Sequence, residues 1–224
     1  MNGRQFLKRI SSPFLKLVSK YYLNRNRNFK YKNIEIDVLS GVFHPGLFLS
    51  TKQLLLLADS LSLRNKQVLE LGAGSGAISV YCSTLGANVT ATDINGLAIK
   101  NVNQNAEKNG VTINSIESNL FNDIPVQVFD FIFINPPYYP KAPKTDAEYA
   151  WFCGPSFEYF EQLFLQLEKY VNESANVFII LSEDCALDKI EAIANKNSFD
   201  LVLHKKVKVM LEWNFIFNAK QLKA

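Results

Sequence analysis

Histidine is nearly absent from this chain: His44 and His204 are the two among 224 residues. A histidine-based triad or a multi-histidine metal site therefore has little material, and no metal centre is expected. Cysteine is equally sparse. Cys82, Cys153 and Cys185 stand far apart and form no CxxC pair, which argues against a disulfide framework or a zinc site and for a reducing compartment. Long apolar runs are missing too. Stretches such as residues 177–181 are far too short to span a bilayer. No hydrophobic segment with a small-residue cleavage site follows the start, so a cytoplasmic protein is expected. Internal repeats and low-complexity linkers are also lacking.

Acidic residues are missing from one place in particular. Residues 1–33 hold nine Lys or Arg and no Asp or Glu, a charge of +9, whereas residues 34–224 hold 15 Lys or Arg against 21 Asp or Glu, a charge of −6. A basic arm on a mildly acidic body suits contact with an anionic partner such as RNA or DNA phosphates. Phe6, Leu7, Ile10, Phe14, Leu17 and Tyr21 recur at roughly helical spacing, which equally suits an amphipathic helix docked on the domain. A membrane surface or another partner remains open for this arm.

What is present is regular alternation. Residues 34–38 alternate like a strand, and 41–51 form a turn-rich lead-in in which Ser50 or Thr51 can N-cap a helix carrying Leu54–Leu57 and Leu61. Strands are expected at 68–71, 89–92, 113–117, 128–134 and 177–181. Helices are expected at 76–84, 97–108 (closed by Asn109-Gly110), 157–170 and 187–194. Residues 201–209 and 211–217 look like a closing antiparallel pair. This pattern predicts an α/β fold with a doubly wound, mostly parallel sheet. The division expected is residues 1–40, a basic arm with a lead-in strand, and residues 41–224, one globular domain.

Three motifs fall at the carboxyl ends of expected strands, where open α/β sheets bind ligands. The first is Glu70-Leu-Gly-Ala-Gly-Ser-Gly76. Gly72, Gly74 and Gly76 permit a tight turn and close backbone approach. Their G-x-G-x-G spacing is neither the dinucleotide fingerprint nor a phosphate-binding P-loop. Glu70 disfavours a pyrophosphate neighbour and suits a cationic amino-acid ligand. The second is Asp93, about twenty residues on, whose carboxylate can accept both ribose hydroxyls of a nucleoside. It can instead cap the next helix, unless Asn95 or Gly96 takes that role. Asn119, with Leu120, ends the next strand and either meets an adenine edge or makes a turn. The third motif is Asn135-Pro-Pro-Tyr138. Pro136 and Pro137 stop the strand and stiffen its exit. Asn135 presents a side-chain carbonyl and Pro136 a backbone carbonyl to the two hydrogens of one NH₂ group, and Tyr138 can stack on a flat group bearing it. A proline-rich turn capping a core strand is the plainer reading of the same residues.

In this order the three motifs resemble those of the class I S-adenosylmethionine-dependent methyltransferases, over roughly residues 41–217. More narrowly they resemble the small-domain group with an Asn-Pro-Pro-Tyr motif, which includes release-factor glutamine, ribosomal-RNA guanine and adenine amino methyltransferases. The resemblance implies a seven-stranded Rossmann-like methyltransferase sheet with an antiparallel C-terminal strand. It implies S-adenosyl-L-methionine as cofactor. Glu70, Gly72, Ala73, Gly74 and Gly76 would surround its methionine part, Asp93 its ribose, and Ile94, Asn119 and Leu120 its adenine. Asn119 stands where many relatives carry Asp. Asn135, Pro136, Pro137 and Tyr138 would hold the target nitrogen, and Asp130 would be structural.

The acceptor is less defined. Residues 149–164 resemble the segment that follows the motif in glutamine methyltransferases, with Cys153-Gly154 in place of Gly-Gly, and Trp151, Phe152 and Gly154 are candidates for packing beneath the site. Gly41-Val-Phe43 is similar to the segment ahead of the core in the rRNA guanine enzymes. The partner expected is a macromolecule: RNA, DNA or a release-factor-like protein. A small-molecule acceptor, an inactive cofactor-binding scaffold and a nicotinamide-linked oxidoreductase are the alternatives. The last lacks a catalytic Tyr-x-x-x-Lys.

Overall fold

The computed structural model describes residues 25–46, 49–209 and 212–222. The helix expected within residues 6–21 and most of the basic arm therefore lie outside the described residues, as do Met210 and Leu211 of the closing pair. The first described element was not foreseen. Strand β1 (Arg27–Tyr31) pairs antiparallel with β2 (Ile34–Val38) around a tight turn in which Lys32 takes a positive φ of 47°. Ile34, Ile36 and Val38 are buried while Glu35 is exposed and Asp37 half-buried, the alternation that period-two side chains impose.

Helix α1 (Leu49–Asp59) follows. Ser50 and Thr51 sit inside its first turn rather than capping it, because the helix already starts at Leu49, ahead of both. Strand β3 (Gln67–Leu71), helix α2 (Ala77–Thr84), strand β4 (Asn88–Asp93), helix α3 (Gly96–Lys108) and strand β5 (Ile113–Glu117) then alternate as the sequence predicts. Asn95 caps α3, accepting Leu97 N–H on its side chain at 2.9 Å. The helix ends in a Schellman turn at Asn109-Gly110: Gly110 has φ +64°, its N–H meets the Glu107 carbonyl at 3.0 Å, and Val111 N–H meets the Ala106 carbonyl at 3.0 Å.

Strand β6 is shorter than the apolar run 128–134 implies, covering Phe131–Ile134. Residue 130 meets only the starts of its neighbours. Asp130 N–H donates to the Gln67 carbonyl at 2.9 Å and its Oδ2 accepts Gln67 N–H at 2.8 Å, so the ladder begins one residue later. Asp130 is thereby structural, and these bonds hold its carboxyl below the usual range. Helix α4 (Glu158–Leu167) tightens into a 3-10 turn at Glu168–Tyr170 instead of running on as one helix, and Phe157 precedes it in a left-handed conformation, φ +64°. Strand β7 (Asn176–Ser182), helix α5 (Leu187–Lys196), and strands β8 (Phe199–Val209) and β9 (Glu212–Gln221) complete the chain.

The sheet order is β5-β4-β3-β6-β7-β9-β8. All strands but β9 run in parallel; β9 is inserted antiparallel between β7 and β8. This is the Rossmann-like methyltransferase arrangement. Alternation sorts the central strands between two cores. Leu69, Leu71, Ile132 and Ile134 join the α4–α5 side, and Val68 and Phe133 join the α1–α2 side together with β2. The order reverses between β3 and β6, so a crevice opens there at the carboxyl ends. Among the described residues no helix is long and apolar enough to cross a membrane.

Candidate functional site

The crevice is a cleft enclosing about 1100 Å³, part of it open to solvent. It gathers residues far apart in sequence. Gly72 and Gly74 come from the β3–α2 turn, Asp93 and Ile94 from the end of β4, Asn119 and Leu120 from beyond β5, and Asn135 to Tyr138 from the end of β6. Ten of the expected site residues therefore share one cavity.

The glycine loop is bound to the end of β4. Gly72 N–H and Ala73 N–H both donate to the Thr92 carbonyl at 2.8 Å, Gly76 N–H donates to the Ala73 carbonyl at 2.8 Å, and Gly74 N–H donates to Asp93 Oδ2 at 2.8 Å. These donors are consumed within the protein. A pyrophosphate needs a nest of unclaimed N–H groups, and these four are already taken, which weighs against a dinucleotide ligand. Gly72 has φ +76°, and a Cβ added there would meet nothing within 4 Å, so the turn's shape rather than crowding demands glycine.

Asp93 is the single charged side chain among the described residues lining the cleft. Its Oδ1 accepts Asn95 N–H at 2.9 Å while Oδ2 takes Gly74. The carboxylate keeps acceptor capacity beyond these bonds for a ligand hydroxyl. Burial raises its pKa despite these bonds. A lone carboxylate in an otherwise neutral cleft suits a ligand carrying net positive charge and hydroxyls.

Glu70 is a correction. It does not line the cleft. In β3, Leu69 and Leu71 point to one face, so Val68 and Glu70 point to the other, toward α2. There Glu70 Oε2 receives Ser79 N–H at 2.7 Å and pairs with Ser79 Oγ at 2.5 Å. It is 5% exposed, and burial pushes its pKa up to about 8 against these two bonds. Ala73 and Gly76 likewise sit behind the cleft wall, the latter against Val102 of α3.

At the β6 end, Pro136 and Pro137 are buried and Asn135 and Tyr138 half-buried. Burial raises the Tyr138 phenol well above its ordinary value, and a hydrogen bond with Ser182 opposes the rise. The chain then pairs with a later segment: Tyr139 N–H donates to the Trp151 carbonyl, Cys153 N–H to the Tyr139 carbonyl and Gly154 N–H to the Lys141 carbonyl, each at 3.0 Å. This brings Tyr149 and Trp151 to the cleft. Of the three residues expected beneath the site, Trp151 lines it. Phe152 instead lies under Lys141 Nζ, and Gly154 makes a turn at φ +86°.

Sequence reasoning missed Phe43 as a wall residue. It packs over the glycine loop, where a Cβ on Gly74 would lie 3.5 Å from Phe43 Cβ, and its ring meets Trp151 at 5.6 Å between centroids. Tyr159 of α4, its phenol raised by burial and next by Asp93, was also missed. No local signal marks either, since both arrive from separate elements.

Residues 33–152 match the family described as Methyltransferase small domain. Over 200 residues the chain is 31% identical to a protein of Methanocaldococcus jannaschii provisionally named protein N5-glutamine methyltransferase, covering 84% of this chain and 99% of that one. It is 49% identical over 83 residues to a bifunctional methyltransferase of Rickettsia conorii, of which it spans 16%. Its fold matches a ribosomal protein L11 methylase from Lactobacillus delbrueckii subsp. bulgaricus with a TM-score of 0.60 and 24% identity, covering 81% of this chain and 82% of that one.

Proposed function

This chain belongs to the methyltransferase small-domain family, and on that premise we propose that it transfers a methyl group from S-adenosylmethionine to a planar NH₂ nitrogen of a macromolecule, held by Asn135 and the Pro136 carbonyl. The observation that supports this most is the convergence of Asp93, the glycine turn and Asn135-Pro-Pro-Tyr138 on one cleft at the switch point of the sheet. The cleft fits the cofactor: one carboxylate for its ribose, a turn whose N–H groups at Gly72, Ala73, Gly74 and Gly76 are taken within the protein, and no opposing cation among the described residues of the lining.

When bound, the cofactor supplies an electrophilic methyl on a positively charged sulfur. Everything else falls to the chain. Asp93 accepts the ribose hydroxyls, with Ile94, Asn119 and Leu120 around the adenine. Asn135 Oδ1 and the Pro136 carbonyl accept the two hydrogens of the acceptor NH₂. An amide or aryl-amine nitrogen is a poor nucleophile because its lone pair is conjugated; two acceptors on its hydrogens localise that pair. The nitrogen would then bond to the methyl carbon as the methyl–sulfur bond breaks and its electron pair goes to sulfur, and the surplus proton would leave to water. Positioning and fixed dipoles supply the rate enhancement, without a buried general base. Tyr138, Tyr149 and Trp151 line the same cleft with rings, and Phe43 closes it over the glycine turn.

For the acceptor we favour a protein glutamine amide, supported by the relative that matches this chain over nearly its whole length. A base amine of RNA or DNA is the second reading, supported by the nine cations and no acids of residues 1–33. Two measurements test the proposal. Cofactor with a labelled methyl is incubated with cell extract split into protein, RNA and DNA, and label in protein that resists nuclease is expected. Asn135→Ala should abolish transfer while leaving S-adenosylhomocysteine affinity within about threefold; normal transfer by this variant would end the mechanism.

A further inference from the structure

Strand β2 is held on one edge by β1. On its other edge the partner is not a strand but a row of side chains. Asn101, Asn105 and Asn109 lie one turn apart along α3, and each amide treats β2 as a neighbouring strand would. Asn109 Oδ1 accepts Glu35 N–H at 3.0 Å and its Nδ2 donates to the Glu35 carbonyl at 2.8 Å. Asn105 Oδ1 accepts Asp37 N–H at 2.8 Å and its Nδ2 donates to the Asp37 carbonyl at 2.8 Å. Asn101 Oδ1 accepts Leu39 N–H at 3.1 Å and its Nδ2 also reaches the Asp37 carbonyl at 2.8 Å. The match is geometric. Four residues of helix rise about 6 Å, and two residues of strand advance about 6.7 Å, so amides at i, i+4 and i+8 meet alternate residues of an antiparallel strand. Asn101 and Asn105 are fully buried.

The row also reaches the cleft. Asn105 Nδ2 makes a further bond, 2.9 Å, to the Ser75 carbonyl in the middle of the glycine turn. Asn101 binds Leu39, and Val42 N–H turns back onto the Leu39 carbonyl at 3.0 Å. From there Gly41, Val42 and Phe43 enter the cleft lining, with Phe43 over Gly74. The glycine turn below and the Phe43 segment above are thus fixed to one helix through two neighbouring amides. We infer that Asn105 and Asn101 are positioning residues that set the spacing between the glycine turn and the Gly41–Val42–Phe43 wall, and so the affinity for the cofactor. Asn109 holds the far end of the same strand and has no such role. The inference rests on the cofactor reading given above.

The test measures S-adenosylhomocysteine binding by calorimetry on the full chain, with urea midpoints, for the original protein and for Asn101→Ala, Asn105→Ala and Asn109→Ala. Asn105→Ala should weaken binding about tenfold and Asn101→Ala several-fold, whereas Asn109→Ala should lower the midpoint but keep affinity within about twofold. In a Trp213→Phe background, emission from Trp151, which touches Phe43, should shift in Asn105→Ala and stay fixed in Asn109→Ala. If Asn105→Ala does not fold, Asn101→Ala against Asn109→Ala decides by the same criterion. Affinity that tracks the loss of stability irrespective of position, or that is equal in all variants, overturns the inference. If the original protein itself fails to bind, the cofactor reading falls first, a result the variants cannot mimic.

Discussion

Replacing Glu70 by Gln should make this protein more stable, and by an amount that depends on pH in a defined window. Glu70 is 5% exposed, and burial raises its pKa from 4.5 to about 8. The native state therefore binds its proton more tightly than the unfolded chain does. A raised carboxyl gives its full stabilisation below pH 4.5 and loses it as pH climbs to about 8, at roughly 1.36 kcal/mol per pH unit. Over the whole window this comes to about 5 kcal/mol. Gln has the same shape, accepts Ser79 N–H and pairs with Ser79 Oγ, and does not titrate. The two proteins should match near pH 4.5 and diverge steadily until about pH 8. For a chain of this size the final gap corresponds to roughly 10–20 °C in Tm. Asp93, also raised by burial, works in the same direction, and His44, lowered by burial, in the opposite one. Both are present in each protein, so the difference curve isolates Glu70. Calorimetric melting of both from pH 4.5 to 9 provides the measurement. Parallel curves across that range would refute the placement of Glu70 in a water-free niche behind α2.

Asp93→Asn should weaken S-adenosylhomocysteine binding by roughly 30- to 100-fold, the loss of charge-assisted acceptors for two hydroxyls, because one oxygen becomes an NH₂ facing Gly74 N–H or Asn95 N–H; affinity within a few-fold of the original, by calorimetry, would count against the ribose assignment. Gly76→Ala should cost roughly 2–3 kcal/mol, since φ is +75° and the new Cβ would lie 3.0 Å from Val102 Cγ2. Adding Val102→Ala should recover only part of the steric cost, because Val102 Cα stays 3.3 Å from that Cβ, and none of the backbone strain; fully additive losses in urea melts would contradict this contact.

Legibility followed the range of the interactions involved. The alternation of β3, α2, β4, α3 and β5 was readable because each element carries its own period and its own stop signal, such as Asn95 before α3 and Gly110 after it. Strand β1 was not, because residues 27–31 are dominated by polar and basic side chains and become a strand by pairing with β2. The start of β6 was misjudged by three residues, since apolar residues at 128–129 extend the pattern ahead of the point where neighbouring strands exist to pair with them. The asparagine row was in plain view as Asn101, Asn105 and Asn109, spaced by four. Nothing local says what three amides on one helix face will bind.

The backbone chemistry of the cleft is local and was legible residue by residue. Three glycines at positive φ, an acid at the end of the next strand, and Asn-Pro-Pro-Tyr at a strand exit are constraints each residue imposes on its own neighbourhood. Which side chains meet there is a matter of long-range packing. Strand alternation turned Glu70 away from the cleft toward Ser79, the pairing of Tyr139 with Trp151 brought in the distal rings, and the α3 amides placed Phe43 over Gly74. Those outcomes depend on partners as far as 62 residues away, and a contact of that span has no signature in the local pattern of either partner.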